Sequence, residues 1–115
     1  MMNWKIDGIY LVEGITDLRL GIDGYAQIIQ DQMNMSPLTQ NLFCFCNRSH
    51  NKMKILYWDG TGFWLLYKRL ERGTFRWPSK GESVMKITEQ QMNWLLEGLA
   101  VEQKRAFKPS PAKYV

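Results

Sequence analysis

Residues 43 to 78 read FCFCNRSHNKMKILYWDGTGFWLLYKRLERGTFRWP, less than a third of the 115-residue chain, and hold more than half of its aromatic side chains. Three short apolar runs, Leu42 to Cys46, Ile55 to Trp58 and Phe63 to Tyr67, are separated by the polar break 47–54 and by Asp59-Gly60-Thr61-Gly62. Runs this short, parted by turn-forming residues, predict an antiparallel meander rather than helices. In the first run Phe43 and Phe45 fall on one side while Leu42, Cys44 and Cys46 fall on the other, so that strand is expected to be central and covered twice. In the third, Phe63, Leu65, Tyr67 and Arg69 share one face and Trp64, Leu66, Lys68 and Leu70 the other. Residues 74–77 are expected to form a short last strand that Pro78 ends.

Outward from this stretch, residues 9–12 (IYLV) predict a first strand closed by Glu13-Gly14. With Thr16 or Asp17 as the cap, Leu18, Ile22, Tyr25, Ile28 and Ile29 recur at helical spacing and predict a helix over residues 18–33. Gly21 and Gly24 lie inside it, which points either to close packing on the sheet or to a helix that starts near Asp23. Thr88 followed by Gln91 is a capping-box pattern, and Met92, Leu95, Leu96 and Leu99 form the stripe of a helix over residues 89–99. The expected architecture is therefore α+β: a single antiparallel sheet of four or five strands with two packed helices, in one domain over residues 1–102. Residues 103–115, with Lys104, Arg105, Lys108, Lys113 and two prolines, read as a mobile basic tail. The composition is 45% hydrophobic and 23% charged, enough apolar material for a core, and no apolar run approaches a membrane span. The start has no signal-peptide pattern and the two cysteines sit too close along a strand to bridge, which together place the chain in a reducing cytoplasm.

Charge distribution narrows the function. Residues 47–80 carry eight basic side chains against Asp59 and Glu71, a local charge of +6 in a chain of net charge +4. A positive field gathered on one piece of a small protein points to a polyanion, and Trp58, Trp64, Tyr67 and Trp77 interleaved with the cations suit stacking on exposed bases. The plainer reading makes the aromatics core and the charges a solvated face. Cys44-x-Cys46-x-x-x-His50 offers three ligand types for zinc, but no other Cys or His exists to complete a tetrahedral site, so the cysteines read as packed apolar residues and no cofactor is expected. The carboxylates each have a structural reading: Asp17 as a helix cap, Asp23 in a first helical turn, Asp59 in the hairpin turn, Glu71 as ion partner of its arginine neighbours. His50, the single imidazole, lies in a polar loop with no nucleophile arranged beside it. Nothing here demands catalysis.

Two blocks carry a family resemblance: Thr16-Asp17-Leu18-Arg19-x-Gly21-x-Asp23-Gly24, and the longer run from Leu56-Tyr57-Trp58-Asp59-Gly60-x-Gly62-Phe63 through Tyr67-Lys68-Arg69-Leu70-Glu71-Arg72-Gly73-x-Phe75-x-Trp77-Pro78. With Leu95-Leu96-Glu97-Gly98 they resemble, over about residues 9–99, the Orf2-like TnpB accessory proteins of the insertion-sequence-sixty-six family. The resemblance implies a small bacterial protein encoded beside a transposase and needed for transposition, the acidic-triad transposase being a separate, larger chain. It does not extend to the RNA-guided nucleases that share the name TnpB. Leu20 stands where the family often has a basic residue, and Ser49-His50-Asn51 where it has a run of arginines.

Residues and resemblance together predict a non-enzymatic transposition factor that binds DNA through Arg48, Lys52, Lys54, Lys68, Arg69, Arg72 and Arg76. Lys68 and Arg69 should face opposite ways, so Arg72, Arg76 and one of those two, with Lys52 and Lys54 beside them, form the expected patch. The rival expectation is an adaptor that engages the transposase through exposed aromatics of the meander.

Overall fold

Alternating apolar side chains assemble a sheet in which one strand is buried on both faces. A computed structural model describes residues 4–78 and 84–99, in the order β1 (Gly8–Val12), α1 (Ile22–Gln32), β2 (Asn41–Cys46), β3 (Lys52–Trp58), β4 (Phe63–Arg69), β5 (Val84–Ile87) and α2 (Glu89–Leu96). The five strands lie in the order β4-β3-β2-β1-β5. The meander β2-β3-β4 is antiparallel as expected, with Phe43 across from Leu56 and Leu56 across from Leu65. Central β2 is covered twice. Its Phe43 and Phe45 pack with Val12, Leu56 and the α1 residues Tyr25 and Ile29, while Leu42, Cys44 and Cys46 join Met53, Tyr57 and the α2 residues Met92 and Leu95.

The expectation of a purely antiparallel sheet is corrected: β1 runs parallel to β2, with Leu11 across from Cys44. Residues 13–40 cross between them carrying α1, so the chain re-enters the sheet in the direction it left, as a strand-helix-strand connection does. A second correction concerns residues 74–77, which join no ladder; the fifth strand is β5, antiparallel to β1. Phe75 and Trp77 are nonetheless buried on the α2 face, where the Trp77 indole donates to the Val12 carbonyl at 2.9 Å and the Phe75 amide to the His50 carbonyl at 2.7 Å. Core burial and two specific hydrogen bonds hold this segment where strand pairing was expected.

Of the two starts the sequence allows for α1, the later is realised. Gly21 is the cap residue and supplies no side-chain bond; Asp17 is not a helix cap because its carboxylate is taken by Arg19. A Cβ on Gly24 would come within 3.1 Å of the Leu20 side chain, so the close approach that keeps glycine here is to the preceding turn rather than to the sheet. For α2 the capping box is complete: the Gln91 amide donates to the Thr88 hydroxyl at 3.1 Å and the Thr88 amide to the Gln91 side chain at 2.8 Å. The helix stops short of residue 99 because Gly98 turns left-handed at φ 83°, its amide bonding to Leu95 and that of Leu99 to Trp94, a Schellman ending. Among the described residues no helix is long and apolar enough to cross a membrane. The expected tail, residues 103–115, lies outside the described residues.

Candidate nucleic-acid interface

The α1 face of the sheet is apolar only as far as the helix reaches. Beyond Phe45 and Leu56 the same alternation that buries Met53 and Tyr57 on the other face brings up Lys52 and Lys54 from β3, with Tyr67 across from Lys54 and Arg69 across from Lys52. These side chains border an open groove of about 1010 Å³ whose lining includes Asp17, Arg19, Arg48, Lys52, Lys54 and Tyr67. Four cations therefore face one carboxylate in the groove. Tyr67 is 53% exposed, an accessible stacking surface beside the cations.

Local structure holds both walls. On one side, the Thr16 amide donates to the Cys46 carbonyl at 2.8 Å and the Tyr25 hydroxyl to the Asp17 carbonyl at 3.1 Å, pinning residues 15–19 to β2 and α1. Tyr25 is fully buried against Phe45, its ring centroid 4.6 Å away, and Lys54 Nζ sits 5.9 Å from the Tyr25 ring. Burial, with Asp17's charge adding to it, pushes the Tyr25 hydroxyl up to about 12. Asp17 in turn accepts from the Arg19 guanidinium at 3.0 Å, and these bonds hold its carboxyl down at about 2. On the other side, the Asn47 side chain accepts from the amides of Asn51 and Lys52, each at 3.0 Å, and donates to the Asn51 side chain at 2.9 Å. His50 adopts a left-handed φ of 58° in this loop, which closes the hairpin and presents Arg48 and Ser49 to the groove.

The seven basic residues expected at the site divide. Arg48, Lys52 and Lys54 line the groove together, and Arg69 extends their row, its Nε donating to Glu71 Oε2 at 2.8 Å. Lys68 points to the opposite face, as its parity requires, and its Nζ lies 3.4 Å from the Leu96 carbonyl at the end of α2, where a cation complements the helix terminus. Arg72 and Arg76 are exposed but do not line the groove. Arg76 does lie on the solvent side of a segment whose Phe75 and Trp77 are core. Of the seven, Arg48, Lys52 and Lys54 line the groove. Arg19 and Asn47 also line the groove and were not among the expected residues, because Arg19 belongs in sequence to a helix approach and Asn47 to a turn; the signal for Arg19 was the Thr16-Asp17-Leu18-Arg19 block.

The remaining reactive groups have structural surroundings. Asp59 accepts from the amides of Thr61 and Gly62 at 2.8 and 2.9 Å, from the Thr61 hydroxyl at 3.0 Å and from the Trp64 indole at 2.8 Å. Those bonds hold its carboxyl down at about 2. Cys44 and Cys46 are buried among α2-face residues, and burial pushes both thiols up, Cys46 to about 12. Among the described residues no three His, Cys, Asp or Glu side chains gather as metal ligands would.

The protein y4hO of Sinorhizobium fredii, described as uncharacterized, is 37% identical over 91 residues, which cover 79% of each chain. A second protein of the same organism, y4jC, also described as uncharacterized, is 26% identical over 97 residues, covering 82% of this chain and 83% of its own. No solved structure matches. The family described as IS66 Orf2 like protein matches residues 7–106, which include both walls of the groove. The chain belongs to this family of transposition-associated accessory proteins.

Proposed function

We propose that the protein serves transposition as a non-catalytic DNA-binding factor, holding phosphates in the groove between residues 15–19 and the β3–β4 end of the sheet. The observation that carries this reading is the convergence of Arg48, Lys52 and Lys54 on one open surface beside the exposed Tyr67. Cations spaced along strand and loop neutralise a phosphate backbone and carry no base code of their own, so binding is strongly salt-dependent and weakly sequence-dependent. Tyr67 offers a platform for an unpaired base, which favours single-stranded or frayed ends over uninterrupted duplex. The four bonds that Asp59 accepts and the Glu71–Arg69 pair give those acids structural work, so no metal-dependent cleavage is expected.

Titration of the purified protein against element-end, unrelated and single-stranded DNA at several salt concentrations tests the reading. Log affinity should fall linearly with log salt for every DNA, with intact substrate recovered in magnesium or manganese. Absence of binding at low salt, or metal-dependent cutting, contradicts it. A second reading, an adaptor for the element's transposase, is favoured by the exposed Trp64, Leu66 and Tyr67 on β4. It predicts co-purification with the transposase that survives loss of Lys52 and Lys54.

A further inference from the structure

The sheet has two edges of different kinds. β5 is four residues long and carries the exposed Lys86, both of which discourage pairing with another chain. β4 is seven residues long, from Phe63 to Arg69, and no strand lies beyond it among the described residues. The Leu70 amide donates to Asn51 at 2.8 Å and the Gly62 carbonyl accepts from Asp59 at 3.0 Å, so even-numbered residues turn their backbone groups toward β3. Phe63, Leu65, Tyr67 and Arg69 therefore aim their N–H and C=O groups at the open edge. Trp64 and Leu66 are 39% and 36% exposed along it.

We infer that this edge pairs with β4 of a second copy of the chain, antiparallel, with Leu66 across from Leu66 at a two-fold axis. This inference goes beyond the phosphate-binding reading and does not depend on it. Charge placement selects the occupant and the register. The strand's cations, Lys68 and Arg69, lie together at one end, next to Tyr67, and the aromatic pair Phe63 and Trp64 lies at the other. A parallel partner would set Lys68 beside Lys68. The antiparallel register centred on Leu66 overlaps the whole strand and sets each Lys68 across from Trp64 and each Arg69 across from Phe63, so every cation meets an aromatic ring rather than its like. The Trp64 ring is held in place by its indole bond to Asp59 at 2.8 Å and by Trp4, whose ring centroid lies 5.4 Å away. Backbone parity agrees, since Phe63–Arg69 and Leu65–Tyr67 become hydrogen-bonded pairs while the Leu66 pair is the close, non-hydrogen-bonded kind. The joined sheet keeps both α1 faces on one side, which brings the two basic grooves onto a common surface.

Equilibrium sedimentation of the full chain tests the pairing. The wild type should reach twice the 13.6 kDa chain mass in the micromolar range. Leu66→Lys and Leu66→Glu, each setting like charges across the axis, should weaken self-association by at least about tenfold, and an equimolar mixture of the two should restore a dimer. Circular dichroism melts confirm that both variants fold. A wild type that stays monomeric throughout overturns the inference. A dimer indifferent to Leu66 charge, or variants whose mixture stays monomeric, overturns it equally.

Discussion

The two faces of one strand, β3, have opposite fates. Toward α2, Met53 and Tyr57 are buried under Phe75, Trp77, Met92 and Leu95. Toward α1, Leu56 is buried but Lys52 and Lys54 stand beyond the helix, on the groove. Alternation makes this division possible: changes on the first face act on stability, changes on the second on the field presented to a ligand. The α2 face is finished by a segment outside the sheet. The α1 face is left open by a helix that reaches only part of it, and the groove lies on that open part.

The largest expected effect comes from breaking the closed face. Phe75→Ala removes a buried ring that no ladder supports and should cost about 3–5 kcal/mol in urea unfolding, without altering the DNA affinity of molecules that remain folded. A cost under about 1 kcal/mol would mean that residues 74–78 are loosely applied to the core rather than part of it.

The Asp59 turn, which holds β3 and β4 together, should give a smaller and pH-dependent effect. Its carboxyl lies at about 2 in the fold against an ordinary value of 3.8, so its ionised bonds contribute stability fully above pH 3.8, lost as pH falls through 2. Asp59→Asn should lower the melting temperature at neutral pH, and the gap from wild type should narrow across that acid window. A gap constant with pH would assign the loss to geometry instead of charge.

Most of this division was legible in the sequence. The meander, the twice-covered β2, the α2 capping box, the opposed directions of Lys68 and Arg69 and the core placement of Phe75 and Trp77 all follow from side-chain alternation and local hydrogen-bonding patterns. What escaped depends on long-range geometry. Parallel pairing of β1 and β2 reflects the path of residues 13–40, and VMKI at β5 looks like any short apolar run until β1 offers it an edge. The groove needs residues 15–19 brought beside residues 47–54, which the Thr16–Cys46 bond accomplishes and no local pattern announces. Arg72 and Arg76 were expected in the patch from turn freedom and from alternation with Phe75 and Trp77; in the fold they lie outside the groove that Arg48, Lys52 and Lys54 line.

The smallest effect on stability and the most direct test of function come from the open face. Lys52→Ala with Lys54→Ala should change unfolding free energy by no more than about 0.5 kcal/mol. In a DNA titration over several salt concentrations, the same double variant should bind all sequences more weakly and lower the magnitude of the salt slope by about two, while Arg72→Ala with Arg76→Ala leaves the slope near wild type. A slope unchanged by loss of Lys52 and Lys54 but reduced by loss of Arg72 and Arg76 would contradict the assignment of DNA binding to the groove.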